Sequence, residues 1–214
     1  MPSCCDPNGL ARVFDARRAA RDACDYRRKG LDQDARRIVD FLKARGVAGG
    51  TVLEIGGGIG ALEIELLRAG AARASNVEIS DAYEPAARQL ATDAGVVDRI
   101  DRRVVDFATD HADIGAADAV VLHRVVCCYP DMPALVRPAA ERARRWLVLT
   151  FPAERWWVRA GVRLLNAGQV IFRSPFRVFY HEPSAILRIA RDAGLRPLQT
   201  RQGLFWQLLA LERP

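Results

Sequence analysis

Apolar residues change their spacing along this chain, and the changes mark its architecture. From residue 8 to 45 they recur at helical intervals with charges between them. Gly30 separates two helices there, and Asp32 caps the second, whose buried stripe is Ile38, Val39, Phe41 and Leu42. Gly46 and Gly49-Gly50 then stop the helical pattern. From Thr51 the runs shorten. Thr51–Ile55, Ala74–Ile79, Ile100–Asp106, Ala117–Leu122 and Trp146–Phe151 read as strands. Helical spacing fills Ala61–Ala69, Tyr83–Ala94 and Met132–Arg144 between them. Ala117–Leu122 is apolar almost throughout, as a strand covered on both faces should be. This alternation predicts an α/β fold, a parallel sheet with helices on both faces.

The rhythm breaks over 152–182, where Trp156, Trp157, Phe172 and Phe176 stand among Arg155, Arg159, Arg163, Arg173 and Arg177. Pro183–Ala193 is helical again and ends at Gly194. Arg196–Thr200 and Leu204–Leu211 read as a closing pair of strands, antiparallel around Gln202-Gly203. The division expected is an N-terminal helical cap over 1–50 and a second unit over 51–214, with a cover insert at about 152–182.

Composition narrows the function classes. The 214 residues suit one domain with small additions, and half are hydrophobic, as in a globular protein. The net charge of +6 is nearly all arginine, scattered with no long basic run, which disfavours nucleic acid. Residues 1–30 lack the apolar core of a secretory signal, and no run approaches the length of a membrane span. A cytoplasmic location is expected. Five cysteines (Cys4, Cys5, Cys24, Cys127 and Cys128) are an odd count without a signal, which points to thiols or metal ligands over disulfides.

The chemistry concentrates after the first strand, in Glu54-x-Gly56-x-Gly58-x-Gly60. Glycines at a strand-to-helix turn take backbone angles closed to other residues and let a ligand lie against the main chain near a helix N-terminus. The spacing departs from the G-x-G-x-x-G of NAD sites. With its preceding carboxylate it resembles the class I S-adenosylmethionine-dependent methyltransferases from about residue 51 to 131. The resemblance implies a Rossmann-like sheet of seven strands, mostly parallel, closed by the antiparallel pair. It also implies that the cofactor S-adenosylmethionine is bound and released as S-adenosylhomocysteine. It places Glu54 near the methionyl amino group. Glu78, with Ile79 beside it, falls at the ribose hydroxyls, and Asp106 and the Phe107 amide at the adenine.

The fourth strand runs into His123-Arg124-Val125-Val126-Cys127-Cys128-Tyr129. Strand ends of this kind carry ligands in open α/β sheets, so His123 is placed beside the methyl donor and is the first candidate base. His181 on the insert is the second, and Tyr129 is a candidate for positioning the acceptor. The later segments, including Leu147–Pro152, Tyr180-His181-Glu182-Pro183 and Arg201–Trp206, are similar to magnesium-protoporphyrin O-methyltransferases. The His123-Arg124 and Cys127-Cys128 pairs depart from that family. The acceptor implied is a small molecule, apolar or carboxylate-bearing.

Three readings of the insert stay open: a lid with arginines for a carboxylate, a peripheral membrane contact, and a plain cover. Cys4, Cys5, Cys127 and Cys128 form an alternative site for a metal or metalloid if the N-terminus covers the pocket, although adjacent cysteines fit zinc spacing poorly. Other rivals are an NAD-dependent oxidoreductase, a cofactor-binding protein without catalysis, and a nucleic-acid or protein methyltransferase. The last lacks any N/D-P-P-Y motif here.

Overall fold

A computed structural model of the chain describes residues 9–214. Three helices come first: α1 (Leu10–Val13), α2 (Ala16–Lys29) and α3 (Gln33–Ala44). The Asp15 carboxylate caps α2 through the Arg18 amide, and Asp32 caps α3 through the amides of Asp34 and Ala35. Gly30 follows α2 at φ +70, where a side chain would be strained.

The sheet contains β1 (Thr51–Ile55), β2 (Arg73–Glu78), β3 (Ile100–Val104), β4 (Ala117–His123), β5 (Ala143–Pro152), β6 (Arg196–Gln202) and β7 (Trp206–Glu212). Its seven strands lie in the order β3-β2-β1-β4-β5-β7-β6. Neighbours are parallel except β7, which runs antiparallel to both β5 and β6. The order reverses between β1 and β4, and that crevice at the strands' carboxyl ends is where open α/β sheets bind ligands. The helices α4 (Ala61–Arg68), α5 (Glu84–Asp93), α6 (Met132–Arg142), α7 (Trp156–Ile171) and α8 (Pro183–Asp192) complete the chain.

Strand periodicity sorts the core into two layers. Val52, Val121 and Val148 face one side with Ile38, Leu42, Ile64 and Leu90 of the helices. Their neighbours Leu53, Val120, Leu122 and Leu147 face the other, against Val136, Ile186 and Ile189. Burying each such side chain contributes about 1.5–3 kcal/mol. The edge strands β3 and β6 are mostly exposed and carry charges, including Asp101, Arg103, Arg196 and Arg201, which discourage edge pairing.

Most strand boundaries shift by a few residues from the sequence reading, and three differences have a visible cause. β3 ends at Val104 because Asp106 turns the chain: its side chain accepts the Ala108 amide and its carbonyl accepts those of Thr109 and Asp110. The helix expected through Arg144 stops at Arg142, and Ala143 already pairs with Ala117 as strand. A 3-10 turn over Asp81–Tyr83 leads into α5. The irregular insert contains a 16-residue helix, α7.

Candidate active site

The loop between β1 and α4 turns on three glycines, Gly56, Gly58 and Gly60, with φ of 68, 53 and 73. The Gly56 amide donates to the Val77 carbonyl at 2.7 Å, pinning the loop across the end of β2. A Cβ on Gly56 would meet Val125 at 2.5 Å, so this glycine lets the β1 and β4 ends approach. Gly57, which the sequence pattern does not count, has no room either, since a Cβ there would run into the buried Asn76 amide.

The carboxylates around this loop have distinct settings. One oxygen of Glu78 accepts the Gly58 amide at 2.8 Å, and the other accepts Ile79 and Ser80 amides at 2.9 and 3.0 Å. Glu54 lies deeper and accepts the Glu63 amide at 3.1 Å. Burial, and then the charge of Glu63, hold its carboxyl well above the usual carboxylate range. Glu63 is itself pushed up to about 7 because burial outweighs the pull of Arg102. Arg102 joins the group from beneath: it meets Glu63 at 3.2 Å and Glu84 at 2.8 Å, and donates to the Gly58 carbonyl at 2.9 Å. A largely covered cation thus braces the loop from the side away from the cavity.

A cavity of about 1100 Å³ opens over these groups. Glu54, Gly56, Gly58, Glu78, Ile79, Asp106, Phe107 and His123 all line it, as do Tyr129, Cys127 and Cys128. Gly60 lies outside the lining. Its place at the N-terminus of α4, where a Cβ would strike the Glu63 carboxylate, gives it the turn into the helix in place of a ligand contact.

Asp106 accepts the Tyr129 hydroxyl at 2.9 Å, and burial together with that bond pushes the Tyr129 phenol up to about 12. The phenol therefore stays protonated at neutral pH and orients Asp106. His181, the second candidate base, lies on the insert just before α8. It lies outside the cavity lining and its Nε2 bonds the Tyr129 main-chain carbonyl at 2.9 Å, so that nitrogen carries the proton and fixes the insert. Burial lowers its pKa, against the opposing pull of the Tyr129 and Val126 carbonyls.

His123 does face the cavity, but both ring nitrogens are engaged. Thr150 Oγ1 accepts the Arg124 amide at 3.0 Å and is hydrogen-bonded to His123 Nδ1 at 2.8 Å. The other nitrogen, Nε2, lies 3.4 Å from the Asp32 carboxylate. Arg124, at φ +59, meets Asp32 and Asp34 at 3.1 Å each. Burial opposes the charge on Asp32, but the His123 bond, the Ala35 amide and the Arg124 charge hold its carboxyl well below the usual range. The N-terminus of α3 is thereby clamped onto the end of β4. Sequence reading recognised Asp32 only as a cap. Its second role needs contacts some ninety positions apart, for which no local signal exists.

The rest of the lining is mixed, with Asp22, Asp25, Lys29 and Arg36 of α2 and α3 beside apolar groups. Trp157, Val158, Val162 and Leu165 of α7 line the cavity opposite Phe14 and Phe176, which meet edge to face. Arg18 also lines it. The thiols of Cys127 and Cys128 lie 4.0 Å apart in the wall. Their mutual bond and burial raise Cys127, whereas the same bond and Arg18 lower Cys128, making it the more acidic thiol. Cys4 and Cys5 lie outside the described residues. Among the described residues no group of three or more His, Cys, Asp or Glu side chains could hold a metal ion.

A family model described as a methyltransferase domain matches residues 26–200. A sequence search of curated proteins finds no match. Among solved structures, magnesium protoporphyrin IX methyltransferase (ChlM) from Synechocystis PCC 6803 with bound SAH is similar at TM-score 0.78 and 23% identity, covering 98% of this chain and 100% of that one. An O-methyltransferase family protein from Burkholderia thailandensis aligns at TM-score 0.67 and 20% identity over 94% of this chain and 63% of that one. Geranyl diphosphate C-methyltransferase from Streptomyces coelicolor A3(2) aligns at TM-score 0.64 and 18% identity, over 82% and 77%. Likenesses at these identities carry the fold.

Proposed function

This chain belongs to the methyltransferase domain family, and from that premise we propose that it moves a methyl group from S-adenosylmethionine to a small apolar acceptor bearing an anionic oxygen. The observation that carries the reading is the arrangement of Glu78, Asp106 and the glycine loop along one wall of a single cavity. At about 1100 Å³ that cavity exceeds the usual 300–1,000 Å³ of one small-molecule site, which leaves room for two ligands. When bound, S-adenosylmethionine supplies an electrophilic methyl on a sulfonium sulfur.

The residues divide the work. Glu78 has three backbone partners on a carboxylate with about four acceptor positions, which leaves capacity for a ribose hydroxyl. Asp106, held by Tyr129, faces the adenine side, and the Phe107 amide lies next to it. Glu54 is buried and its carboxyl is held above the usual range by burial and the charge of Glu63, so a cationic amino group beside it would favour the charged form.

Both ring nitrogens of His123 are engaged, Nδ1 by Thr150 and Nε2 by Asp32. We therefore assign it to positioning the α3 clamp, with no general base. An acceptor that arrives ionised, such as a carboxylate, needs no base: its oxygen attacks the methyl carbon as the carbon–sulfur bond breaks, and alignment supplies the acceleration. Arg18 in the lining suits an anionic group. Geranyl diphosphate, bound in the similar C-methyltransferase structure from Streptomyces coelicolor A3(2), is an apolar chain with an anionic end.

The test is an acceptor screen read by S-adenosylhomocysteine release, with apolar carboxylic acids set against their amides and alcohols. Turnover of acids alone is expected. Turnover restricted to alcohols, and abolished by His123→Gln, would restore the base role and sink this assignment.

A further inference from the structure

Exposed apolar side chains are not spread evenly over this molecule. Ten large ones are exposed among the described residues, and all but Val97 and Val104 lie on α7, at Phe172 just beyond it, or at Leu204-Phe205 between β6 and β7. Trp156, Leu164 and Ile171 are each 76% exposed and Phe172 is 83% exposed. The two parts are joined, since the Trp157 indole donates to the Leu204 carbonyl at 3.4 Å. A contiguous patch of this kind on a folded protein marks an interaction surface.

The helix α7 shows two apolar faces. Val158, Val162 and Leu165 look into the cavity. Trp156, Ala160, Leu164, Ala167 and Ile171 recur at three- and four-residue steps on the outside, where burial in this chain cannot explain them. The fringe of that outer face is cationic. From 152 to 180 there are five arginines and one acidic residue, Glu154, and Arg159, Arg163 and Arg173 are exposed. Among the described residues no helix is long and apolar enough to cross a membrane, so this face would lie along a surface.

We propose that the outer face of α7, with the Leu204-Phe205 turn, docks on an anionic lipid surface. Aromatic and aliphatic side chains enter the interface while the arginines meet the headgroup phosphates. Charge selects this occupant over a second copy of the chain. A two-fold pairing of the same patch would bring two copies of this arginine-rich segment together with only Glu154 on each to offset them. Docking holds whether or not the methyl-transfer reading does. If both hold, the cavity lies directly behind the docked helix, and the acceptor is one that dissolves in lipid.

The experiment is co-sedimentation of the full chain with phosphatidylglycerol–phosphatidylcholine vesicles and with phosphatidylcholine alone, at low and high salt. The wild type should pellet with the anionic vesicles at low salt, with a blue shift in tryptophan emission. Leu164→Asp/Ile171→Asp and, separately, Arg163→Glu/Arg173→Glu should each weaken that binding about tenfold or more. Val97→Asp, on the far edge, should bind as the wild type does, and circular dichroism verifies the fold of each variant. Wild type that stays in the supernatant at low salt overturns the proposal, as does equal loss in Val97→Asp. So does a dimer dispersed by Leu164→Asp/Ile171→Asp with no vesicle binding.

Discussion

The two walls of the cavity are built by different means. On the wall formed by β1, β2 and β3, the polar groups are fixed by backbone close at hand. Glu78 holds Gly58, Ile79 and Ser80, and Gly56 holds Val77. The opposite wall is assembled from distant parts. His123 and Arg124 reach α3 across about ninety positions, and Trp157 reaches the β6–β7 turn across forty-seven. The first wall repeats wherever the local motif repeats. The second can change its lining by exchanging the cap, α7 or the turn without disturbing the first, which is how one fold serves many acceptors.

The comparison breaks first at Arg102. Arg102→Ala leaves Glu63 and Glu54 buried without their cation, a loss of about 3–5 kcal/mol in denaturant unfolding. Gly56→Ala comes next. Left-handed backbone costs about 1–2 kcal/mol and the contact with Val125 about 1–3 more, and S-adenosylhomocysteine binding should disappear in calorimetry. On the other wall, Asp32→Ala removes a cap and the clamp, together about 1–3 kcal/mol, yet should leave cofactor affinity within a few-fold of wild type. A large affinity loss there would show the two walls to be coupled.

A pH series sharpens the contrast. Glu63, at about 7 in the folded protein, sits above its ordinary 4.5, so the folded state favours its protonated form. Its contribution is complete at low pH and is lost as pH rises through 7. Glu63→Gln should therefore gain in melting temperature relative to wild type between about pH 5 and pH 8. Asp32 behaves in the opposite sense: its lowered carboxyl adds stability that is lost only as pH falls below the ordinary carboxylate range. Smallest of all, Tyr129→Phe should cost about 0.5–1.5 kcal/mol and alter cofactor affinity less than tenfold.

What the sequence made legible follows the same division. The parallel sheet, the antiparallel closing pair and Glu78 at the end of β2 could be read because strand and turn chemistry are local, whereas Asp106 falls in the turn beyond β3. The N-cap at Asp32 was legible for that reason too, while its contact with Arg124 was not. Gly57 escaped notice because its constraint comes from Asn76 on the next strand. His181 looked like a candidate base because position along the chain says nothing of which way a ring nitrogen points. Arg102 sits on an edge strand among other charges, and only the fold shows that it supports the loop from below.

Calorimetry of the purified chain tests directly whether the glycine-loop wall is a cofactor site. S-adenosylmethionine and S-adenosylhomocysteine should bind with micromolar affinity and NAD should not, with Glu78→Ala weakening both by about tenfold or more. Binding of NAD in their place, or no binding to a folded protein, would contradict the account.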